Sequence, residues 1–148
     1  MTNANLKDMG KKIIGYTTGV FDMFHIGHLN ILKKAKEHCD YLIVGVSTDE
    51  LCESYKHKKP IIPYEERKAI VEAIRYVDQV VPQIDREKYK AWERIGFDIM
   101  FVGDDWKNSP LFNELEEKFS KVNVTIMFFP YTRGTSSTML REKLNHIK

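Results

Sequence analysis

The chain has 148 residues, of which 43% are hydrophobic and 30% are charged, and its formal net charge at pH 7 is +2. This length suits one ordinary domain with its own core, and the small net charge argues against a protein that coats nucleic acid or is held at a membrane by basic residues. No apolar run approaches the roughly 18 residues of a transmembrane helix, so we expect a soluble domain that acts on a small ligand.

The first residues, MTNANLKDMGKK, are polar and lack the apolar centre of a signal peptide. We expect a frayed tail over residues 1–11 and a folded domain over residues 12–148. Cys39 and Cys52 do not show the spacing of a disulfide framework. These features predict a reduced protein of the cytoplasm.

Strand and helix patterns then alternate along the chain. A short apolar run, Lys12 to Thr18, ends at a glycine turn, and apolar residues at helical spacing follow from Leu29 to Ala35. The run YLIVGVS is typical of a strand buried on both faces, and VDQVV, DIMFVG and NVTIMFF predict three more strands. Further helices are predicted from Pro63, around residues 87–94, over residues 110–119 and from Ser136.

This alternation predicts an α/β fold with a five-stranded parallel sheet flanked by helices. In such sheets, ligands bind beyond the carboxyl ends of the strands, where the strand order reverses. Polar motifs follow four of the strands: GVFDMFHIGH the first, STDE the second, GDDW the fourth and YTRGTSST the fifth. We therefore expect one site at this edge.

The motif after the first strand contains His25 and His28, three residues apart. They could be ordinary surface or helix-capping histidines. They could also bind a metal ion, with Cys39 as the best available third ligand, although no second pair at zinc spacing exists. A third alternative is a phosphate site, because Gly19 lets the backbone approach a ligand, the helix N-terminus offers free amides, and residues three apart share a helix face.

The motif GVFDMFHIGH resembles the H-x-G-H signature of the nucleotidyltransferase superfamily, and its longer form, Gly-x-Phe-Asp-x-x-His-x-Gly-His, is similar to that of the cytidylyltransferases. DYLIVGVSTDE, YEERKAIVEAIRYVDQVV, GDDW and a Gly-x-Ser-x-Thr run resemble, in order and spacing, those of bacterial glycerol-3-phosphate cytidylyltransferases. The resemblance extends from Ile13 to the C-terminus, and it implies a single Rossmann-like domain.

The resemblance also implies a reaction. CMP passes from CTP to a small phosphorylated acceptor, glycerol 3-phosphate by default, and pyrophosphate leaves. The product is a CDP-activated precursor for a cell-surface polymer. Mg²⁺ is expected as a cofactor bound through the CTP phosphates, a homodimer is expected, and no nucleic-acid or membrane partner is expected. By this analogy, His25 and His28 are catalytic through contacts with the CTP phosphates and do not act as nucleophiles.

Lys56, Lys58 and Lys59 lie in the polar stretch after the second strand, which we expect to be a mobile loop. The lysines could simply be solvated charges. The resemblance implies that Lys56 and Lys58 are catalytic and reach the phosphates of both substrates, in a register shifted by one inserted residue.

The remaining site residues also follow from the resemblance. Those expected to bind the nucleotide are Thr18, Gly19, Val20, Phe21, Asp22, Gly27, Arg75, Asp104, Thr132, Arg133, Gly134, Ser136, Ser137 and Thr138. Those expected to bind the acceptor are Asp49, Lys58, Asp78, Asp105, Trp106 and Tyr131.

Two features concern arginines. Arg67 and Arg75 are eight residues apart and so lie close to one face of a helix, where either could be an ordinary exposed charge. In YTRGTSST, Tyr131 stands where related enzymes have a phosphate-binding arginine. Arg133 is displaced from that position by two residues, which in an extended segment keeps the same side-chain direction.

Two rival functions remain open. One is an adenylyltransferase of the same superfamily, such as an enzyme that makes FAD or a coenzyme A precursor. The other is a non-catalytic protein that binds a nucleotide and retains the fold.

Overall fold

The computed structural model describes residues 12–130, 140 and 142–145. Strands and helices alternate over this part of the chain: β1 (Ile14–Gly19), α1 (Ile26–Glu37), β2 (Tyr41–Ser47), α2 (Asp49–Lys56), α3 (Tyr64–Glu72), β3 (Gln79–Gln83), α4 (Lys88–Ile95), β4 (Ile99–Gly103), α5 (Pro110–Ser120) and β5 (Thr125–Phe129). A 3-10 helix, Asp104–Trp106, follows β4 directly.

The strands form one parallel sheet in the order β3-β2-β1-β4-β5. The chain proceeds outward from β1 through β2 to β3 and then returns to the other side of β1 for β4. The strand order therefore reverses between β1 and β4, where an open α/β sheet has its ligand crevice. The predicted α/β fold, a Rossmann-like sheet of five parallel strands, is confirmed.

The core has two layers because alternate residues of each strand point to opposite faces of the sheet. One face buries residues such as Val44 and Phe101 against α1 and α3. The other buries Tyr16, Ile43 and Met100 against α4 and α5. Both faces of the sheet are thus covered by helices, and the carboxyl edge of the strands is left for a site.

One helix was not predicted. The polar stretch after β2 contains α2, which begins at a good cap: the Thr48 side chain accepts a hydrogen bond of 3.1 Å from the Leu51 amide. Leu51 and Cys52 are buried on its inner side. The expected mobile loop is therefore wrong for Lys56, the last residue of α2, which precedes His57 in the left-handed conformation (φ 60°).

Several expectations lie outside the described residues. These are the frayed tail over residues 1–11 and the motif YTRGTSST. Residues 140 and 142–145 are helical, in the region where the last helix is expected, but its predicted start at Ser136 is outside the described part. No helix of the described part is long and apolar enough to span a membrane.

Candidate active site

A cleft of about 780 Å³ opens at the carboxyl edge of the sheet. Its floor is formed by the ends of β1 and β4, so it lies at the point where the strand order reverses. The Thr17 hydroxyl donates a buried hydrogen bond of 3.0 Å to the Phe101 carbonyl and ties these two strands together below the cleft. The floor of the cleft is therefore fixed by a side-chain hydrogen bond as well as by the pairing of β1 with β4.

The structure brings nine of the sixteen predicted site residues that it describes to this cleft or beside it. Those that line it are Thr18, Gly19, Val20, Phe21, His28, Lys56 and Trp106. His25 and Gly27 lie beside it at the start of α1, and Gly27 is buried there.

His25 and His28 begin α1 by capping each other. The Gly27 amide donates to His25 Nδ1 at 3.0 Å, and the His25 amide donates to His28 Nδ1 at 3.2 Å. The two rings stack with their centroids 3.9 Å apart. Because each Nδ1 accepts a hydrogen bond, a neutral ring carries its proton on Nε2. The first alternative for these residues, helix capping, is therefore present, and it leaves both Nε2–H groups as donors.

Both imidazoles are neutral at pH 7. Burial, together with the neighbouring His25, lowers the pKa of His28 to about 4, while Asp22 opposes the shift. Burial also lowers the pKa of His25. The Nε2 of His25 is buried and has no hydrogen-bond partner among the described residues. A buried donor without a partner costs free energy, and a ligand oxygen would remove that cost.

The β1–α1 loop has an unusual backbone. Phe21 (φ 53°) and Met23 (φ 50°) adopt the left-handed conformation, which costs free energy for residues other than glycine. A Cβ on Gly19 would come within 2.9 Å of the Phe21 ring. Gly19 thus makes room for a side chain of its own loop, and it also lines the cleft. Phe21 in turn packs against the His28 ring.

Asp22 is 1% exposed and holds a neighbouring segment. Its two carboxylate oxygens accept hydrogen bonds from the amides of Ile61 and Ile62, at 2.8 and 2.9 Å. Asp22 does not line the cleft. It was predicted to bind the nucleotide, but in this structure it fixes the β1–α1 loop to the segment before α3.

Arg67, which the sequence did not distinguish from an exposed charge, is 1% exposed. Its guanidinium donates hydrogen bonds to the carbonyls of Ile62, Val20 and Ser47 at 2.7–2.8 Å. It also forms an ion pair of 2.6 Å with Asp49, whose other oxygen accepts from the Tyr64 amide. Asp49, predicted to bind the acceptor, is thus engaged inside the protein and does not line the cleft.

The structure separates the predicted lysines. Lys56 lines the cleft, whereas Lys58 and Lys59 are exposed and do not line it. Lys56 lies near the ring of Tyr55, another residue of α2 that faces the cleft.

Two predicted residues lie at the opposite edge of the sheet. Asp78 directly precedes β3, forms an ion pair with Lys36 and accepts a hydrogen bond from the Leu42 amide. Arg75 is exposed in the turn that leads to β3 and lies over the ring of Tyr76. The described structure does not bring either residue to the cleft, because they are at the amino end of a strand whose carboxyl end forms the site.

The segment after β4 forms an apolar end of the cleft. Trp106 lines it and packs against Phe112 of α5, with ring centroids 5.5 Å apart. Trp106 is 39% exposed, so part of the indole ring is available to a ligand. Asp104 and Asp105 are exposed in the same 3-10 helix but do not line the cleft.

Sequence reasoning missed the turn between β3 and α4. Arg86 and Lys88 line the cleft there, and the buried Ser47 hydroxyl donates to the Gln83 side chain at 2.7 Å across the ends of β2 and β3. The sequence did contain a signal for this part of the site. The polar segment after Gln83 follows a predicted strand and must therefore lie at the carboxyl edge of the sheet, but it matches no known motif.

The structure does not support a metal ion bound by His25, His28 and Cys39, because Cys39 lies away from the two histidines. Cys39 follows the far end of α1, where its thiol donates to the Ala35 carbonyl, and burial raises its pKa to about 11. No group of three or more His, Cys, Asp or Glu side chains in the described part could hold a metal ion. The predicted residues Tyr131, Thr132, Arg133, Gly134, Ser136, Ser137 and Thr138 lie outside the described residues.

Comparison with known proteins finds relatives that are named as enzymes of nucleotide transfer. The model of the cytidylyltransferase-like family matches residues 16–143. The glycerol-3-phosphate cytidylyltransferase of Bacillus subtilis (strain 168) is 38% identical over 141 residues, covering 90% of this chain and 97% of the relative. An FAD synthase of Thermococcus kodakarensis is 38% identical over 134 residues, covering 85% of each chain.

A solved structure shares the fold. It is the lipopolysaccharide core biosynthesis protein from Thermoplasma volcanium GSS1, which matches with a TM-score of 0.68 and 28% identity over 84% of this chain and 99% of that one.

Proposed function

The chain belongs to the cytidylyltransferase-like family, and on that basis we propose that it transfers CMP from CTP to a small phosphorylated acceptor and releases pyrophosphate. Glycerol 3-phosphate is the proposed acceptor, since relatives that share 38% of residues are named for it. The product would be a CDP-activated precursor for a cell-surface polymer.

One observation carries this proposal: the capping of α1 by His25 and His28 leaves two neutral Nε2–H donors at a helix N-terminus, one of them buried without a partner among the described residues. A helix N-terminus favours anions through its free amides and its dipole. Two additional donors suit a polyphosphate, because in the transition state negative charge is spread over the oxygens of the transferred group and develops on the leaving pyrophosphate. We therefore place the α-phosphate of CTP beside these rings.

The proposed reaction needs no general base. The attacking oxygen belongs to a phosphate that is already ionised at neutral pH, and the catalyst has to position the two substrates and stabilise the developing charge. The Nε2–H groups of His25 and His28 donate to the phosphate oxygens. Lys56, which lines the cleft, reduces the repulsion between the two phosphorylated substrates. Lys58 remains a proposed contributor.

The apolar end of the cleft is the proposed place for the cytosine base. Trp106 offers an aromatic face there, and such faces stack with flat rings. Thr18, Val20 and Phe21 line the floor between this end and the histidines, where the ribose and the first phosphate would lie.

Mg²⁺ is proposed to bind through the CTP phosphates, where it offsets their negative charge. The described part has no cluster of side chains that would hold the ion by itself, so the phosphates are proposed as its main ligands. A homodimer is also proposed, and light scattering on the purified protein tests it. We also propose that the reaction takes place in the cytoplasm.

The second candidate is adenylyl transfer, which FAD synthase relatives of 36–38% identity favour. The relatives named for glycerol 3-phosphate match more of this chain, 90% against 82–85%, which is why cytidylyl transfer is preferred.

Release of pyrophosphate tests both candidates. The purified protein is incubated with Mg²⁺, glycerol 3-phosphate and either CTP or ATP, and the product is identified by ³¹P NMR. We expect pyrophosphate and a diphosphodiester with CTP and little with ATP. Faster release with ATP and a flavin phosphate would favour the second candidate, and no release with any acceptor would contradict the first.

A further inference from the structure

Phe24 lies directly before the capping residue of α1 and is not among the groups proposed to act in the reaction. It is half-buried, packs against the core on the α1 side of the sheet and does not line the cleft. In GVFDMFHIGH it occupies a position that the signature leaves open. Its ring nevertheless lies against His28, with the ring centroids 5.2 Å apart and 39° between the planes. Phe24 is thus in contact with a proposed catalytic residue without lining the cleft itself.

This contact follows from where the helix begins. His25 is the N-cap of α1, so Phe24 is the residue before the cap and His28 is the third residue of the helix. An apolar residue before the cap commonly packs against the fourth helical residue and fixes the angle at which the chain enters the helix. Here the residue before the cap packs against the third, an imidazole. An ordinary contact of a helix start therefore involves the side chain proposed to bind phosphate.

Three rings pack around the His28 imidazole. The ring of Phe21 lies with its centroid 5.3 Å away, the ring of His25 stacks at 3.9 Å, and Phe24 is the third neighbour. The loop bends through left-handed residues at Phe21 and Met23, and both of its phenylalanines reach the one imidazole. Backbone in this conformation clusters at functional sites. The imidazole is therefore held by packing on more than one side.

The hydrogen bond of the cap would restrain this imidazole only weakly by itself. The His25 amide donates to His28 Nδ1 at 3.2 Å, at the long end of the normal range. A half-turn of the ring would replace Nδ1 by a carbon and break this hydrogen bond. Closely packed neighbours oppose such a turn, because protein interiors leave little unfilled space. Packing thus determines which nitrogen faces the cap and which is left for a ligand.

We propose that Phe24 is a positioning residue, whose ring holds the imidazole of His28 with Nδ1 on the helix cap and Nε2 available to the substrate. The inference rests on the proposed cytidylyl transfer for its catalytic consequence, but the placing of the ring is a property of the ligand-free protein. A donor that is fixed before the reaction needs no reorientation as charge develops on the transferred phosphate. Loss of Phe24 should therefore slow the chemical step more than it weakens CTP binding.

The same packing favours the neutral form of His28. Burial, together with His25 at the start of α1, lowers its pKa to about 4, and Asp22 of the β1–α1 loop opposes the shift. Lys56 of α2 lines the same cleft. Replacement of Phe24 changes none of these charged or titratable groups, so a change in the pKa of His28 would report the loss of the covering ring.

Nuclear magnetic resonance of the ligand-free protein tests the position of the ring in Phe24→Ala. Long-range ¹H–¹⁵N spectra distinguish a neutral imidazole that carries its proton on Nε2 from one that carries it on Nδ1, and the spectrum of His28→Ala assigns the signal. We expect the Nε2–H form in the parent and a mixture of both forms in Phe24→Ala. The pKa of His28 should rise by about one in Phe24→Ala, because water reaches the ring.

Turnover at pH 8 tests the catalytic consequence, because His28 is neutral there in the parent and in the variant. With CTP and glycerol 3-phosphate, kcat should fall about tenfold to a hundredfold in Phe24→Ala, the cost of a misplaced group, while KM for CTP should change less than about threefold. Phe24→Leu, which restores most of the apolar bulk, should recover most of the turnover.

Met127→Ala is the matched control. Met127 is also partly buried and packs against the same core, but it does not line the cleft. The variant should lose stability in urea, as Phe24→Ala does, yet keep the kcat of the parent and the tautomer and pKa of His28. If Phe24→Ala does not fold, Phe24→Val takes its place with the same expectations, because valine keeps some packing but is too short to cover the imidazole.

The outcomes separate this inference from the proposed function. An unchanged tautomer of His28, a pKa that stays or falls, or a normal kcat in a variant whose ring has moved would each overturn the role of Phe24. If the parent forms pyrophosphate from CTP while the variant matches it in all three measurements, the inference is wrong and the function stands. If the tautomer and pKa change but the parent never forms pyrophosphate, the placing of the ring stands and the proposed function is wrong.

Discussion

Arg67 is expected to be the most important single side chain for the stability of the cleft. The perturbation is Arg67→Met, which keeps the aliphatic bulk and removes the guanidinium. The side chain is fully buried, and its four acceptors belong to four segments: the β1–α1 loop, the end of β2, the start of α2 and the segment before α3. Three of these segments carry groups that line the cleft.

The magnitude follows from the partners that are left behind. Arg67→Met removes one donor from each of three carbonyls and from the Asp49 carboxylate, whose side chain is 27% exposed. Removing one partner of a buried ion pair costs about 3–5 kcal/mol, and we apply this range because the Arg67 side chain is fully buried. Four kcal/mol, taken as roughly the middle of that range, is a large part of the 5–15 kcal/mol typical of a domain. For a chain of this length it would lower Tm by about 8–16 °C.

Urea unfolding followed by circular dichroism measures the effect, and Arg75→Met is the control. Arg75 lies shortly after the same helix but is exposed and contacts Tyr76, so its loss should cost no more than about 0.5 kcal/mol. Arg67→Lys should give an intermediate loss, because one ammonium cannot reach all four acceptors. A loss below about 1 kcal/mol in Arg67→Met would refute this account.

Three further outcomes are expected at the catalytic edge. His28→Ala should lower kcat by about 10²–10³ or more with the fold retained by circular dichroism, since one transition-state donor is lost; near-normal turnover would exclude the phosphate role. The free energy of unfolding of the parent should fall as pH decreases from 6.5 towards about 4, because in this range His28 binds a proton in the unfolded state but not in the folded state. Urea titrations at a series of pH values should show a shallower decline for His28→Ala. Lys56→Ala should lower kcat/KM for both substrates by at least about tenfold through lost charge neutralisation, whereas Lys59→Ala, outside the cleft, should match the parent in the same kinetic assay.

The sheet was predictable because its strands are buried on both faces. YLIVGVS coincides with β2, Tyr41–Ser47, and six of its seven residues are buried. A short, continuous apolar run of this kind is typical of a strand that is covered on both faces of a parallel sheet. The motifs that follow such strands then lie at one edge of the sheet. The order within the sheet was not readable from the sequence, since it depends on which strands pair.

Helix α2 shows that a polar composition alone does not predict a loop. Its eight residues, DELCESYK, read as polar, yet Thr48 and the acidic residues Asp49 and Glu50 form a helix start that could have been recognised. Only Leu51 and Cys52 are buried, too few to produce a clear apolar periodicity. A short helix with one buried turn is stabilised by its contacts with other segments, which the local sequence does not show.

Arg67 and Arg75 differ for a reason that no local pattern contains. Both lie close to one face of the predicted helix. They differ in which other segments of the chain pack against them in the folded protein. The carbonyls that bind Arg67 come from residues 5 to 47 positions away in the chain. Only the folded sheet brings those carbonyls to a single point, so burial of this charge could not be inferred from helix periodicity.

The capping interaction at the start of α1 also determines the chemistry of the histidines. Protonation of His28 requires a proton on Nδ1, which would remove the hydrogen bond from the His25 amide. CTP phosphates attract such a proton, but accepting it would cost the helix one of its first hydrogen bonds and leave a backbone donor unsatisfied. The cap therefore opposes the field of the substrate and favours a neutral ring with its proton on Nε2. A neutral donor of this kind can stabilise charge on the transferring phosphate without losing its own proton, which is the property that a catalyst of phosphoryl transfer needs.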